Sequence, residues 1–378
     1  MLLKKNNWAY EKIGDISEKI LAGGDKPKVF SEVMTNECYI PVYANGVYNN
    51  GLCGYTNMPI IKDECITISA RGTIGFCCIR TTPFVPIVRL IVVVPKSSIA
   101  NKFLCYAFRN LNIEKNGGTI PQLTVPMIKG YVIPIPSLSE QSRIVEELDL
   151  LSNIIEKKRQ QLSELDNLAQ SIFYDMFGDP VTNEKGWEVK PLKDNVYEMF
   201  LGPFGSALKV DSYVEKENAY CMVYEQKHAI QGTLDILTHY INKDKYDSLK
   251  RFAVKPGDFI MSCRGTIGKL YQLPIDAPLG IIHPSLMKIR IKDNIYHSLY
   301  FKYMLVKIVA NESTNGNCVQ MAITAKELGN RRLPLPPLSL QQLFAKKIEA
   351  IEKQKALIKQ SIVETEELFN SRMDYYFS

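Results

Sequence analysis

Ile133-Pro-Ile-Pro-Ser-Leu-Ser139 opens the stretch that decides the fold, and Leu333-Pro-Leu-Pro-Pro-Leu-Ser339 repeats it. In both, prolines force extended backbone and end any preceding helix. Ser139 and Ser339 then stand where an N-cap belongs, and Ser339-Leu-Gln-Gln342 fits a capping box. LPLPP could also serve as a proline-rich ligand, but rigid helix entry is the simpler use. Behind the first hinge lie Leu148, Leu151, Ile155, Leu162, Leu165, Ala169 and Ile172, spaced three and four apart and interrupted at Lys158. That is a heptad seam. The spacing predicts a helix from about Glu140 to Phe177, stopped by Gly178-Asp-Pro180. The second hinge predicts another, from about Leu340 to near the C-terminus. Two hundred residues on, the seam reads Ile348, Ile351, Lys355, Ile358, Ile362, Thr365, Phe369 and Arg372, in the same phase. The polar interruptions, Lys158 and Lys355, are staggered. Leu148, Leu151, Ile155, Leu162 and Leu165 are expected to pair with Ile348, Ile351, Ile358 and Ile362.

The repeat extends upstream. Trp8-Ala-Tyr-Glu-Lys-Ile-Gly-Asp15 matches Trp187-Glu-Val-Lys-Pro-Leu-Lys-Asp194, and Arg71-Gly-Thr-Ile-Gly75 recurs as Arg264-Gly-Thr-Ile-Gly268. Thr124 corresponds to Thr324, and Gln141 to Gln341. Matches in one order, at an offset that only grows, indicate duplication. The expected organisation is a globular segment at 1–137, a helix at 138–177, a second globular segment at 178–337 and a second helix at 338–378. If the middle segment is compact, the helices pair antiparallel. The fold class is then α+β: two α/β globular domains separated by a long two-helix coiled coil, related by a pseudo-two-fold axis. A DNA duplex has such an axis, so the arrangement suits two half-sites at fixed spacing.

The chain has 378 residues and a net charge of +6. The globular segments carry +6 and +4, the first helix −4 and the second 0. The positive excess therefore suits a polyanion partner for the globular parts. Nothing in the chain reads as a membrane span or a signal peptide, and a cytoplasmic location is expected. Nine cysteines without a Cys-x-x-Cys pair read as reduced thiols, and four histidines give no metal-ligand spacing. No metal and no cofactor are expected.

Within the first segment, Cys65–Ser69 and Val88–Val94 read as strands and Asn101–Asn110 as a helix. The second repeats this with Asp258–Ser262, Leu286–Ile291 and a helix from about Ser298 to Val309. Ile40-Pro-Val-Tyr-Ala-Asn-Gly-Val-Tyr-Asn-Asn-Gly51 can present amides to adenine edges, or can be a structural turn pair. Gly202-Pro-Phe-Gly-Ser-Ala-Leu-Lys209 lacks the Gly-Lys-Ser/Thr ending of a nucleotide loop. Phosphate contact through Ser206 and Lys209 stays open. Arg71 and Arg264 could touch phosphate or guanine, or brace a turn. The candidate DNA contacts are Lys26, Lys28, Tyr43, Asn45, Tyr48, Asn49, Asn50, Arg71 and Thr73, and Ser206, Lys209, Gln226, Lys227, Arg264 and Thr266.

The paired hinges, the long helices, the first helix ending in Ser171-Ile-Phe-Tyr-Asp-Met-Phe-Gly-Asp-Pro180 and the two RGTIG turns together resemble the specificity subunit of type I restriction–modification systems. The resemblance covers essentially the whole chain. It implies two target-recognition domains, each reading half of an asymmetric bipartite site on double-stranded DNA. It also implies helices that set the gap and dock two methyltransferase subunits, which carry the S-adenosylmethionine chemistry, and restriction subunits that complete a nuclease. Leu340 departs from the Glu-Gln usual after the second hinge.

Catalytic readings fare poorly. Neither Asn-Pro-Pro nor Asp-Pro-Pro occurs, as an adenine methyltransferase would need. Lys243-Asp-Lys245 is the nearest approach to a nuclease centre, and it reads as a solvated loop. The histidines form no visible Ser/His/Asp set. The chain is expected to be a non-catalytic DNA reader, with a coiled-coil scaffold pairing two protein-binding domains as the alternative.

Overall fold

A computed structural model describes residues 8–111, 113, 122–314 and 322–378. It divides into two compact units, residues 1–161 with 358–378, and residues 162–357. Each is built on an antiparallel four-stranded sheet. In the first, the strand order is Ser17–Ala22, Leu90–Pro95, Cys65–Ser69, Cys77–Arg80. The second unit repeats it with Val196–Leu201, Leu286–Ile291, Phe259–Ser262 and Leu270–Gln272. Every residue of Cys65–Ser69 is buried, as in a central strand covered on both faces. Arg89 takes a left-handed φ of 65°, so the strand expected from Val88 starts at Leu90.

Helix Asn101–Asn110 lies on the first sheet and Ser298–Thr314 on the second. Phe103, Leu104 and Phe108 join Ile66, Ile68, Ile91 and Val93 in one core; Phe301, Met304 and Leu305 join Phe259, Met261, Met287 and Ile289 in the other. A smaller sheet flanks each: Leu52–Thr56, Ile40–Tyr43 and Val85–Pro86 in the first unit, and Tyr240–Ile241, Cys221–Tyr224, Gly280–Ile282 and Ala253–Val254 in the second. Six of the described cysteines are buried, and all eight are free thiols; Cys318 lies outside the described residues.

The long helices run Leu138–Phe177 and Leu338–Phe377. They pair antiparallel within each unit. In the first, Lys158 Nζ donates to the Ser361 carbonyl and hydroxyl at 3.1 and 2.7 Å and to Thr365 Oγ1 at 2.8 Å. Tyr376 donates to Glu147 at 2.7 Å. In the second, Lys355 pairs with Asp166 at 2.8 Å, and Phe173 meets Phe344 edge-on. Leu148, Ile155, Ile348, Ile351 and Ile362 are buried, while Leu151, Leu162, Leu165 and Ile358 are half-buried. The lysine interruptions of the seam are therefore polar layers with partners of their own.

The caps differ from the sequence expectation. Both helices begin one residue before the expected cap, so Ser139 and Ser339 lie inside the first turn and Ser339-Leu-Gln-Gln342 is not a capping box. The box that forms is Ser137–Glu140: the Glu140 carboxylate accepts the Ser137 amide at 3.1 Å, and Ser137 Oγ accepts the Glu140 amide at 3.4 Å. At the second hinge position 337 is proline, with no N–H to receive, so Leu340 forgoes nothing by lacking a carboxylate. Gln141 and Gln341 are fully buried and satisfied alike. Gln141 accepts the Ala100 amide at 2.8 Å and donates to the Ser98 and Pro136 carbonyls, both at 3.0 Å. Gln341 accepts from His297 at 2.8 Å and donates to Ile295 and Pro336 at 3.0 and 2.9 Å. One side chain thus ties hinge, long helix and short-helix N-terminus together.

Candidate nucleic-acid interface

Each central strand runs into its RGTIG turn. Gly75 donates its amide to Ser69 O at 3.0 Å, and Gly268 to Ser262 O at 2.9 Å. Gly75 and Gly268 have φ of 85° and 82°, and a Cβ on Gly268 would lie 2.5 Å from Val309 Cγ1. Backbone conformation and close packing both demand glycine there. A side-chain amide braces each turn from the segment after the flanking strand. Asn45 Oδ1 accepts the amides of Ala70 at 2.7 Å and Arg71 at 3.1 Å, and its Nδ2 donates to the Arg71 carbonyl. Gln226 Nε2 donates to the Arg264 carbonyl at 2.6 Å.

These contacts revise the candidate set. Both polar groups of Asn45 are engaged inside the fold, while Gln226 commits its Nε2 to the Arg264 carbonyl. The Arg80 guanidinium lies 3.5 Å from the centroid of the Tyr43 ring, and Phe84 meets that ring edge-on. Tyr43 therefore packs and positions rather than reaching outward. The Lys227 ammonium pairs with Glu225 at 2.9 Å.

The outward-facing remainder is compact in the first unit. Tyr48 is 92% exposed, and Asn49 and Asn50 form a left-handed turn beside it, with φ of 47° and 53°. Asparagine is one of the few residues that tolerates this backbone. Arg80 Nη2 fixes the turn by donating to the Asn50 carbonyl at 2.6 Å. Asn50 also rims a cavity of about 290 Å³ that Cys78, Arg80, Lys102 and Arg109 share. Thr73 is exposed and Arg71 half-buried. Lys26 and Lys28 lie apart from this cluster in sequence, on the connection to strand Ile40–Tyr43, with Lys26 over the Phe30 ring.

In the second unit Arg264 and Thr266 are exposed. Ser206 and Lys209 are exposed on the loop after strand Val196–Leu201. Gly202 anchors that loop: its amide donates to Leu286 O at 2.9 Å, and a Cβ there would strike the His283 carbonyl. Phe204 at the tip is 89% exposed.

One cluster escaped sequence reasoning. His239 Nδ1 lies 2.9 Å from Glu225 Oε1, its ring stacks on Tyr213, and the His228 ring nitrogen accepts the Glu225 amide at 2.9 Å. His283 lies within electrostatic reach of Glu225, His239 and Arg264. Three of the four histidines thus gather beside Gln226. Burial alone would raise the Glu225 carboxyl, but hydrogen bonds from Lys227 and His239 outweigh it and hold the group below its ordinary value. Burial lowers His228 and His283, which favours neutral rings. The set is not a catalytic relay: Ser285 bonds to the His283 ring at 2.8 Å, whereas Glu225 bonds to His239, so no single imidazole joins hydroxyl and carboxylate. The Glu225–Gln226–Lys227–His228 run was visible, but its partner lies fourteen residues on, beyond any helix or strand period.

Comparison with known proteins gives one answer. The family model for the type I restriction modification DNA specificity domain matches twice, over residues 5–167 and 184–367. The chain belongs to that family. It is 37% identical over 154 residues to a Mycoplasma pneumoniae protein named as a type I specificity subunit, covering 40% of this chain and 46% of that one. The chain thus spans about half the length of that relative. The MjaIX specificity subunit of Methanocaldococcus jannaschii is 25% identical over 390 residues, covering 89% of this chain and 85% of that one. A solved S subunit of a type I restriction–modification system from M. genitalium shares the fold, with TM-score 0.56 at 15% identity, covering 100% of this chain and 98% of that one. Among the described residues no helix is long and apolar enough to cross a membrane.

Proposed function

We propose that this chain is the DNA-reading subunit of a type I restriction–modification complex and has no catalytic centre of its own. The segment before the first hinge reads one half of a bipartite asymmetric site, and the segment between the hinges reads the other. The long helices set the gap and dock two methyltransferase subunits; restriction subunits join these, and the assembly works in the cytoplasm. The observation that carries this reading is a duplicated frame with unlike outward segments. Sheet order, RGTIG turn, buried glutamine and helix entry recur, while Gly46–Gly51 in one unit and Gln226–Gln231 in the other differ in sequence and conformation. A two-part site with different halves requires that combination. The contact set supported is Tyr48, Asn49, Asn50, Arg71 and Thr73, with Ser206, Lys209, Arg264 and Thr266; Lys26, Lys28 and Lys227 are further candidates outside it.

The test is reconstitution with the methyltransferase subunit, followed by gel shift across a salt series and genome-wide mapping of methylated adenines in the source cell. We expect a bipartite methylation site, binding that weakens steeply with salt but keeps its sequence preference, and no methylation or cleavage by the chain alone. A complex that binds no DNA would instead favour the scaffold reading.

A further inference from the structure

The two units share one outward feature in full while differing around it. Arg71-Gly-Thr-Ile-Gly75 and Arg264-Gly-Thr-Ile-Gly268 are identical in sequence and alike in backbone, with φ of 74° and 85° at the two glycines of the first turn and 63° and 82° in the second. Both arginines form an isolated antiparallel bridge with a later segment, Arg71 with Gln122 and Arg264 with Ala322. Both arginine carbonyls accept from a side-chain amide, Asn45 in one unit and Gln226 in the other. The braces come from equivalent places, each just after the strand that pairs parallel with its neighbour: Ile40–Tyr43 with Val85–Pro86, and Cys221–Tyr224 with Gly280–Ile282. The brace changes identity and the turn does not. What both units retain is therefore the placement of the arginine.

Beyond the brace the units part. Tyr48–Gly51 forms a left-handed Asn-Asn turn, whereas Gln226–Gln231 forms a short helix. Two identical side chains on one frame cannot tell unlike half-sites apart. They suit a target present in both halves, and the DNA backbone is the same everywhere. The surroundings fit an anion. Among the described residues neither guanidinium is held in an ion pair, and an exposed threonine hydroxyl follows two residues after each arginine. Glu225, the acid nearest the second turn's brace, is already engaged by Lys227 and His239.

We propose that Arg71 and Arg264 are the sequence-independent anchors of the two units, each donating to a backbone phosphate at the corresponding place in its half-site, while base discrimination lies in the unlike segments beyond the braces. This rests on the DNA-reading function proposed above. Thr73 and Thr266 supply a second donor to the same phosphate. Asn45 and Gln226 act as positioning residues.

The experiment uses the full chain with its methyltransferase subunit and the site found by methylation mapping. Wild type, Arg71→Gln, Arg264→Gln and the double variant are titrated onto the cognate duplex and onto duplexes with single base-pair changes across both halves. Each titration is repeated at several salt concentrations. Each single variant is expected to weaken every duplex by one common factor, on the order of tenfold at low salt, with base preferences unchanged. The slope of log K against log salt is expected to fall by about 0.9 for each arginine removed. Arg71→Lys and Arg264→Lys keep the slope and so separate lost charge from lost folding. Loss of preference at one base pair would make the arginine a base reader and overturn the proposal. An unchanged salt slope with weaker methyltransferase association would overturn it in favour of a protein contact. A wild-type complex without sequence preference removes the premise itself, and is recognised before any variant is compared.

Discussion

Gln141 and Gln341 show how much one side chain can organise. Each bonds three backbone groups from two separate stretches of the chain, and truncation removes all three bonds at once. An unsatisfied buried donor or acceptor costs about 1–3 kcal/mol, and relaxation or entering water recovers part of it. Gln341→Ala is therefore expected to destabilise the chain by about 2–4 kcal/mol in denaturant unfolding. A loss below about 1 kcal/mol would show that the glutamine is dispensable. Gly75 and Gly268 act at the same scale by a different means, supplying a left-handed conformation at a point where a Cβ would meet a neighbouring side chain.

Elements that superpose in order can still be held together by different forces. Registers place Asp258, Lys288 and Arg290 where the first unit has Cys65, Val92 and Val94. In the first unit those residues form an apolar cluster with Ile61 and Phe84. In the second, Arg290 grips Asp258 through Nε and Nη2 at 2.6 and 2.7 Å, and Lys288, 3% exposed, donates to Glu198 and to the Ala253 carbonyl. Breaking a buried ionic network by removing one partner costs about 3–5 kcal/mol, while replacing it whole by apolar residues is often neutral. Asp258→Ala is expected to cost that much in chemical denaturation. The triple variant Asp258→Cys, Lys288→Val, Arg290→Val is expected to recover most of the loss; equal damage from both would refute the argument. The pH dependence follows from Glu198. The Lys288 hydrogen bond holds its carboxyl below the ordinary value, so the link stabilises above the carboxylate range and is lost as pH falls through it. Melting temperatures measured down an acid series are expected to fall more steeply for the wild type than for the triple variant.

For the whole molecule, the helix pair carries the functional consequence. Each long helix has 40 residues, and its seam includes layers that fix partners, Lys158 with Ser361 and Thr365, and Lys355 with Asp166. Deleting one heptad from each helix at matched points removes about 10 Å of rise, about three base pairs of duplex. The preferred gap between half-sites, read by methylation mapping of the variant complex, is expected to shorten accordingly. An unchanged gap would mean that the helices do not set it.

The amino-acid sequence by itself determined the elements and their repetition. Proline pairs, heptad spacing and a five-residue identity are local patterns, and local backbone chemistry converts them into hinges, helices and turns without reference to the rest of the chain. It placed Arg71 and Arg264 on equivalent turns for the same reason. Tertiary structure decided which candidates face outward. Tyr43, Asn45 and Gln226 had the composition of a reading surface, but their groups meet Arg80, the Arg71 backbone and the Arg264 backbone, contacts made between segments 26 to 38 residues apart. The histidine cluster around Glu225 and the ionic network around Asp258 arise in the same way, from strands brought side by side. Pairing across a sheet leaves no period in the sequence, so those features exist only once the chain has folded.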